Sequence, residues 1–195
     1  MVEFSIKEFI FDKKIISIFL LVAAFILAKV GFCLDGILFI TLCYMLILLS
    51  AIDYRYKAVP DYLLIIVLII SPFLADNLIE FFKNSAMFAG FFVILNIFVT
   101  YYIQNIKSYL TKDETLKEQV ALGEGDIPIF AMIGGLLGVQ MGFYAIMLGS
   151  MIALIHSIYN RLKYERETPF IPYLVMGFWI LFLFGDYFSI EWLIK

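Results

Sequence analysis

"IPIFAMIGGLLGVQMGFYAIMLGSMIALIHSIYN", Ile127 to Asn160, contains no Asp, Glu, Lys or Arg. A membrane-spanning helix needs about 20 mostly apolar residues, within a range of about 17–25. The run is too long for one such helix. "GVQMG", Gly138 to Gly142, offers a turn that splits it into two short ones. The whole chain of 195 residues has the same character, with 64% hydrophobic residues, 16% charged residues and a mean hydropathy of +0.99. Soluble domains run about 45–50% apolar and about 25% charged. The architecture is therefore counted in spans. The fold class is all-α, a polytopic membrane helix bundle forming a single unit over 1–195, with no internal repeat and no low-complexity linker.

Outward from that run, the hydropathy marks further spans at Ile15–Cys33, Gly36–Ile52, Asp61–Ala75 (short, with Pro72), about Ala86–Ile103 and Pro169–Gly185. That makes seven spans, or six if a short one only re-enters. The segment "DNLIEFFKNS" (76–85) reads as a short interfacial helix with Phe81 and Phe82 toward the membrane. Gln104–Glu124 is the longest polar stretch. The first 14 residues mix both charge signs and no small-residue cleavage pattern follows, so the first apolar stretch is kept in the mature protein.

Charge orients the bundle. With the N-terminus cytoplasmic, Lys7, Lys13, Lys14, Arg55, Lys57, Lys107, Lys112, Lys117, Arg161, Lys163 and Arg166 fall inside, and only Lys83 and Lys195 outside. Lys29 lies within a span and can snorkel to the interface. Cytoplasmic loops are enriched in Lys and Arg, which selects this orientation. The net charge of −3 and the absence of a basic block give no support for nucleic-acid binding. Cys33 and Cys43 form no CxxC pair and there is one histidine, so no metal site is expected and both cysteines read as packing residues.

Most carboxylates fall in loops and read as solvated, and Asp35 and Asp186 read as outer-end anchors. Asp53, Asp61 and Asp126 all come to the cytoplasmic edge. Asp61 and Asp126 begin helices, where a carboxylate caps backbone N–H groups and complements the dipole. Asp53 ends a helix, where the dipole disfavours an anion. Packing could bring Asp53 and Asp126 together. Close carboxylates share one proton. The ionised member can then take a proton from water while the other protonates a peptide carbonyl, a general acid–base hydrolysis. No Ser–His or Cys–His pairing and no P-loop offers a competing chemistry. The bland reading, a capping acid on an ordinary turn, stays open. Gly123 and Gly125 around Glu124 permit positive φ or close backbone approach. Gly134, Gly135, Gly138 and Gly142 read as helix-packing positions. His156 reads as packing or interfacial.

These residues resemble the type IV prepilin peptidases, GxGD membrane aspartic proteases. "AIDYRYKAVPDYL" (51–63) is similar to their first signature, with Asp53, Pro60 and Asp61. "GEGDIPIFAMIGGLLG" (123–138) is similar to the second, and "TPFIPYLVMG" (168–177) to a third, of the form IPFxPxLxxG. The resemblance covers about 50–180, and 1–195 reads as one integral membrane peptidase domain. It implies an endopeptidase that removes the short basic leader of prepilins or pseudopilins at the cytoplasmic face of the inner membrane, before their hydrophobic N-terminal helix. It implies Asp53 and Asp126 as the catalytic pair, with Asp61, Pro60, Gly123 and Gly125 supporting. Pro169, Phe170 and Pro172 are implied as substrate-contact or structural positions. Its partners are the leader peptides and the bilayer, and it implies no cofactor. Bifunctional members methylate the new N-terminus with S-adenosylmethionine and carry a large cytoplasmic loop, often with two CxxC pairs. This chain has neither, so a short form with peptidase activity alone is expected. Many members have Lys where Pro128 stands here. The competing expectations are a preflagellin-type protease, a presenilin-like protease (whose Pro-Ala-Leu segment is absent) and a transporter or assembly factor using the aspartates as an ion or proton site.

Overall fold

The computed structural model describes residues 12–30, 34–112, 114–120, 122–161 and 169–188. Cys33, Lys7, Lys163, Arg166, Lys195 and residues 1–11 of the charged N-terminal stretch lie outside the described residues, as do the side chains of Lys14, Lys29, Arg161 and Asp186. Among the described residues every regular element is helical. The helices are α1 (Lys13–Val30), α2 (Leu34–Tyr56), α3 (Asp61–Ile70), α4 (Leu78–Tyr101), α5 (Ser108–Thr111), α6 (Asp126–Arg161) and α7 (Ile171–Phe188). By length and composition, Leu34–Tyr56, Leu78–Thr111 and Asp126–Tyr159 are apolar stretches long enough to cross a bilayer. Large side chains such as Ile97, Phe98, Leu154 and Ile155 stay exposed on them. That surface fits a lipid solvent, where apolar side chains need no burial but every backbone N–H and C=O needs a partner, which a helix supplies. The protein is a membrane helix bundle.

The charge-free run folds back on itself at one residue. Gly138 has φ 74° and ψ −179°, a conformation for which glycine alone is suited. A Cβ on Gly142 would lie 3.1 Å from the Gly134 Cα. Along a straight helix those residues stand about 12 Å apart, eight steps of about 1.5 Å. So α6 is two arms, 126–137 and 139–161, and the expected split occurs at the first glycine of "GVQMG". The first arm, and α3 with its 3₁₀ turn Ser71–Leu74, are each too short to cross about 30 Å of hydrocarbon at about 1.5 Å per residue. They run side by side from the same end, where Gly125 meets Leu64.

Packing follows small residues. α6 lies between α4 and α7, α7 rests on α2, and among the described residues α1 contacts α2 alone of the helices. Gly134 and Gly135 admit Phe88, Phe81 and Ser85 of α4, and the Ser85 Oγ donates to the Ala131 carbonyl at 2.8 Å. Gly149 and Gly177 bring α6 and α7 into backbone contact. Leu42, Leu46, Leu49 and Ile52, spaced at helical intervals, give α2 one fully buried stripe against this centre. Cys43 is buried and free, as its packing reading expects.

Two expectations need correction. Residues 76–85 are not a separate interfacial helix. Asn77 caps α4 by accepting from the Ile79 and Glu80 amides (3.0 and 3.4 Å), and no breaker interrupts the helix that starts there. Phe81 is buried against Gly135 and only Phe82 faces outward. The stretch from Gln104 is not a loop throughout: α4 continues through a π-helical segment, Tyr102–Lys107, into α5 before a 3₁₀ turn at Glu114–Glu118.

Candidate active site

Three helix ends converge at one end of the bundle. The first is the last turn of α2. It ends where Lys57, at φ 53°, donates its amide to the Asp53 carbonyl at 2.8 Å, closing the helix with a left-handed residue. Asp53 sits one turn inside that end, next to the fully buried Ile52, and is itself only 7% exposed. The second is the start of α6, where Asp126 is the first helical residue and is equally buried at 7%. Its amide donates to the Gly123 carbonyl at 3.1 Å. Pro128, in the same turn, lacks an N–H that the first turn would leave unpaired anyway. The third is the start of α7. There the Ile171 amide donates to the Asp53 Oδ2 at 3.0 Å, and the Phe170 amide also faces this carboxylate.

Asp53 therefore has a structural partner that no local reading reveals. It cannot cap its own helix, but it caps α7, whose N-terminus carries partial positive charge. The expectation that capping leaves Asp53 unexplained is corrected by this contact. The third motif thereby joins the other two. Pro169 is buried, Phe170 sets its ring edge-on to Phe130 with 6.1 Å between centroids, and Pro172 occupies a first-turn position where no donor is lost.

The Asp126 carboxylate lies within electrostatic range of Asp53, and the Gly123 amide faces it. A Cβ on Gly123 would sit 3.3 Å from the Asp126 Oδ2, so the backbone there hugs the carboxylate. Gly125 serves a different neighbour: its Cβ would come within 2.5 Å of the Val59 Cγ2. Close approach, not positive φ, is what these two positions require, since Gly138 has the only positive-φ glycine conformation among the described residues. Pro60 is buried at the N-cap of α3 and makes no side-chain cap. Asp61 follows as the first helical residue and is exposed, unlike the other two aspartates. It complements the α3 dipole from the surface.

Tyr173, in the first turn of α7, is buried, with its phenol in electrostatic range of Asp53 and Tyr54. The His156 ring packs on it at 5.3 Å, matching the packing role expected of that histidine. Tyr173 and Asn96, which accepts from the Leu122 amide at 3.0 Å, escape a motif-based reading. The signal for Asn96 is an amide side chain inside an apolar helix. Among the described residues no group of three or more His, Cys, Asp or Glu comes together. Chemically, the arrangement offers two buried carboxylates at one end of a membrane bundle, one fixed by backbone amides and the other on a glycine-flanked turn.

The comparisons with known proteins bear on the same residues. The type IV leader peptidase family profile matches residues 40–158, a stretch that holds both buried aspartates and their glycines. The chain is 30% identical over 162 residues to a prepilin leader peptidase/N-methyltransferase of Xanthomonas campestris pv. campestris, covering 81% of this chain and 53% of that protein. It is 28% identical over 171 residues to the protein of that name in Pseudomonas aeruginosa (85% and 56%), and 27% over 147 residues to that of Bacillus subtilis (73% and 53%). It spans about half the length of these curated relatives. No solved structure matches it. With more than half of the chain under the family profile and the three helix ends built from the motif segments, the chain belongs to the type IV leader peptidase family.

Proposed function

We propose that this chain is an aspartic-type membrane endopeptidase that cleaves the short leader from prepilins or pseudopilins at the cytoplasmic face of the inner membrane, with Asp53 and Asp126 as its catalytic pair. The observation that carries the reading is the joint burial of these two carboxylates on converging helix ends, in a chain of the leader peptidase family. Two carboxylates in range of one another hold one proton between them. The ionised one accepts a proton from a water molecule as the water oxygen attacks the scissile carbonyl carbon. The protonated one gives its proton to the carbonyl oxygen. The tetrahedral intermediate then collapses: the C–N bond breaks, the leaving amine takes a proton from one member of the pair, and a hydroxyl of the intermediate returns a proton to the other. No bond to the enzyme forms.

The surroundings suit that work. The Ile171 and Phe170 amides orient Asp53. Gly125 keeps the turn bearing Asp126 close to the α2–α3 connection, Gly123 lets the backbone lie against the Asp126 carboxylate, and Pro60 starts the helix that backs it. Asp61, on the exposed rim, is placed to meet a basic leader. The substrate's apolar helix stays in lipid against the bundle.

The test uses the purified chain in lipid vesicles with a pilin-like precursor. The N-terminal sequence and mass of the product report the cleavage position and any added methyl group. Asp53→Asn and Asp126→Asn are expected to lower the rate by about 10²–10⁴-fold while the protein still accumulates in the membrane. Processing at the normal rate by either variant, or ion flux that depends on Asp53 without peptide cleavage, would overturn the proposal.

A further inference from the structure

The segment before the Asp126 turn is tied at two points to α4 and its π-helical continuation. "FVILNIFVTY" (Phe92–Tyr101) is apolar apart from Asn96, Thr100 and the phenol of Tyr101. The half-buried Asn96 turns its Oδ1 to the Leu122 amide at 3.0 Å and also accepts from the Thr100 Oγ1 at 3.2 Å. Two helical turns on, the Gln104 Nε2 donates to the Gln119 carbonyl at 3.0 Å. Leu122 packs on the core and directly precedes Gly123, whose carbonyl holds the Asp126 amide. A backbone amide at the edge of a bilayer that loses its acceptor has little water to replace it. An amide side chain in an apolar helix is also costly without a partner. Each group thus answers the other's need.

We propose that Asn96 is a positioning residue that pins the strand of chain entering the GxGD turn, and through it fixes where Asp126 stands relative to Asp53. Its effect on catalysis rests on the reading of those aspartates as the catalytic pair. The pinning does not, and each is read separately. Asn96→Leu removes the acceptor while keeping the same branching of side-chain heavy atoms, and Asn96→Asp keeps an acceptor in the same place. In Asn96→Leu, hydrogen exchange of the peptide covering 119–125 is expected to speed up at least about tenfold, while exchange in α6 and α7 is unchanged. Its kcat for a pilin-like precursor falls about 10–100-fold with KM within about twofold, because a displacement near 1 Å at a reacting group costs about that much. Asn96→Asp restores both readouts to within about threefold of the wild type. If Asn96→Leu does not accumulate, Asn96→Ala carries the same expectations. Unchanged exchange at 119–125 in the variant that accumulates overturns the pinning, whatever the activity. Faster exchange with full activity overturns the link to Asp126. If the wild-type chain cleaves nothing, the exchange result still decides the pinning, and the failure belongs to the peptidase reading.

Discussion

Gly149→Ala should loosen the grip on Asp53 from the far side of α7. A Cβ at Gly149 would lie 2.7 Å from the Tyr173 carbonyl oxygen, 3.0 Å from the Leu174 Cα and 3.1 Å from the Tyr173 carbonyl carbon. All three are backbone atoms and none can rotate away. Restoring ordinary contact, which begins at 3.4 Å, moves the first turn of α7 by about 0.7 Å. If that shift follows the line of the Ile171–Asp53 bond, 3.0 Å becomes about 3.7 Å, past hydrogen-bonding distance. Overpacking against rigid atoms costs toward the upper part of about 1–3 kcal/mol. The gain in helix propensity from Gly to Ala returns about 1 kcal/mol, leaving a net loss of about 1–2 kcal/mol. The assay is reversible unfolding in mixed detergent micelles, paired with kcat on a pilin-like precursor, which should fall about 10–100-fold. Gly90→Ala is the control. Nothing lies within 4 Å of a Cβ there, so only the propensity gain of about 1 kcal/mol remains. A Gly149→Ala protein as stable as the Gly90→Ala protein, with full activity, would refute the reasoning.

Three other outcomes are expected. Gly125→Ala should lose stability by about 1–2 kcal/mol through its clash with Val59, and the double variant Gly125→Ala/Val59→Ala should recover most of that loss, a non-additivity measured by a double-mutant cycle. Gly138→Ala places a Cβ in a backbone conformation with φ 74°, so its unfolding free energy should drop by about 1–3 kcal/mol even though the nearest atom, the Asn84 Nδ2, is 4.0 Å away. Asn77→Ala should cost about 1 kcal/mol by uncapping α4, and unchanged stability would restore the reading of 76–85 as a separate surface element.

Hydropathy alone marks where the helices lie, because in lipid the chain must close its own backbone hydrogen bonds and a helix does so locally. It also shows that the run from Ile127 needs a turn, and Gly138 makes it. The turn's sharpness depends on the approach of Gly142 to Gly134, a tertiary fact. Segment ends were harder to read. Phe81 and Phe82 amid polar neighbours suggest an interfacial helix at 76–85, while the Asn77 cap starts a continuous helix there. The aspartates were legible as residues to single out, but the role of Asp53 at a helix end was not. Its partner, the Ile171 amide, is 118 residues away. For the glycines of "GEGD" the sequence leaves positive φ and close approach both open, and the structure uses closeness, with Gly125 against Val59 and Gly123 against the Asp126 carboxylate. Asn96 carried a signal, an amide in an apolar helix, whose meaning needed the Leu122 amide beside it.

Single-turnover cleavage of a pilin-like precursor by the Asp53→Asn, Asp126→Asn and double variants tests the shared role of the two carboxylates most directly. Groups that act as one unit are non-additive, so losing the second costs little once the first is gone. Each single variant should fall about 10²–10⁴-fold, and the double variant should fall no further than the worse single one. A double variant whose loss is the product of the two single losses, or a single variant that cleaves normally, would contradict the pairing of Asp53 with Asp126.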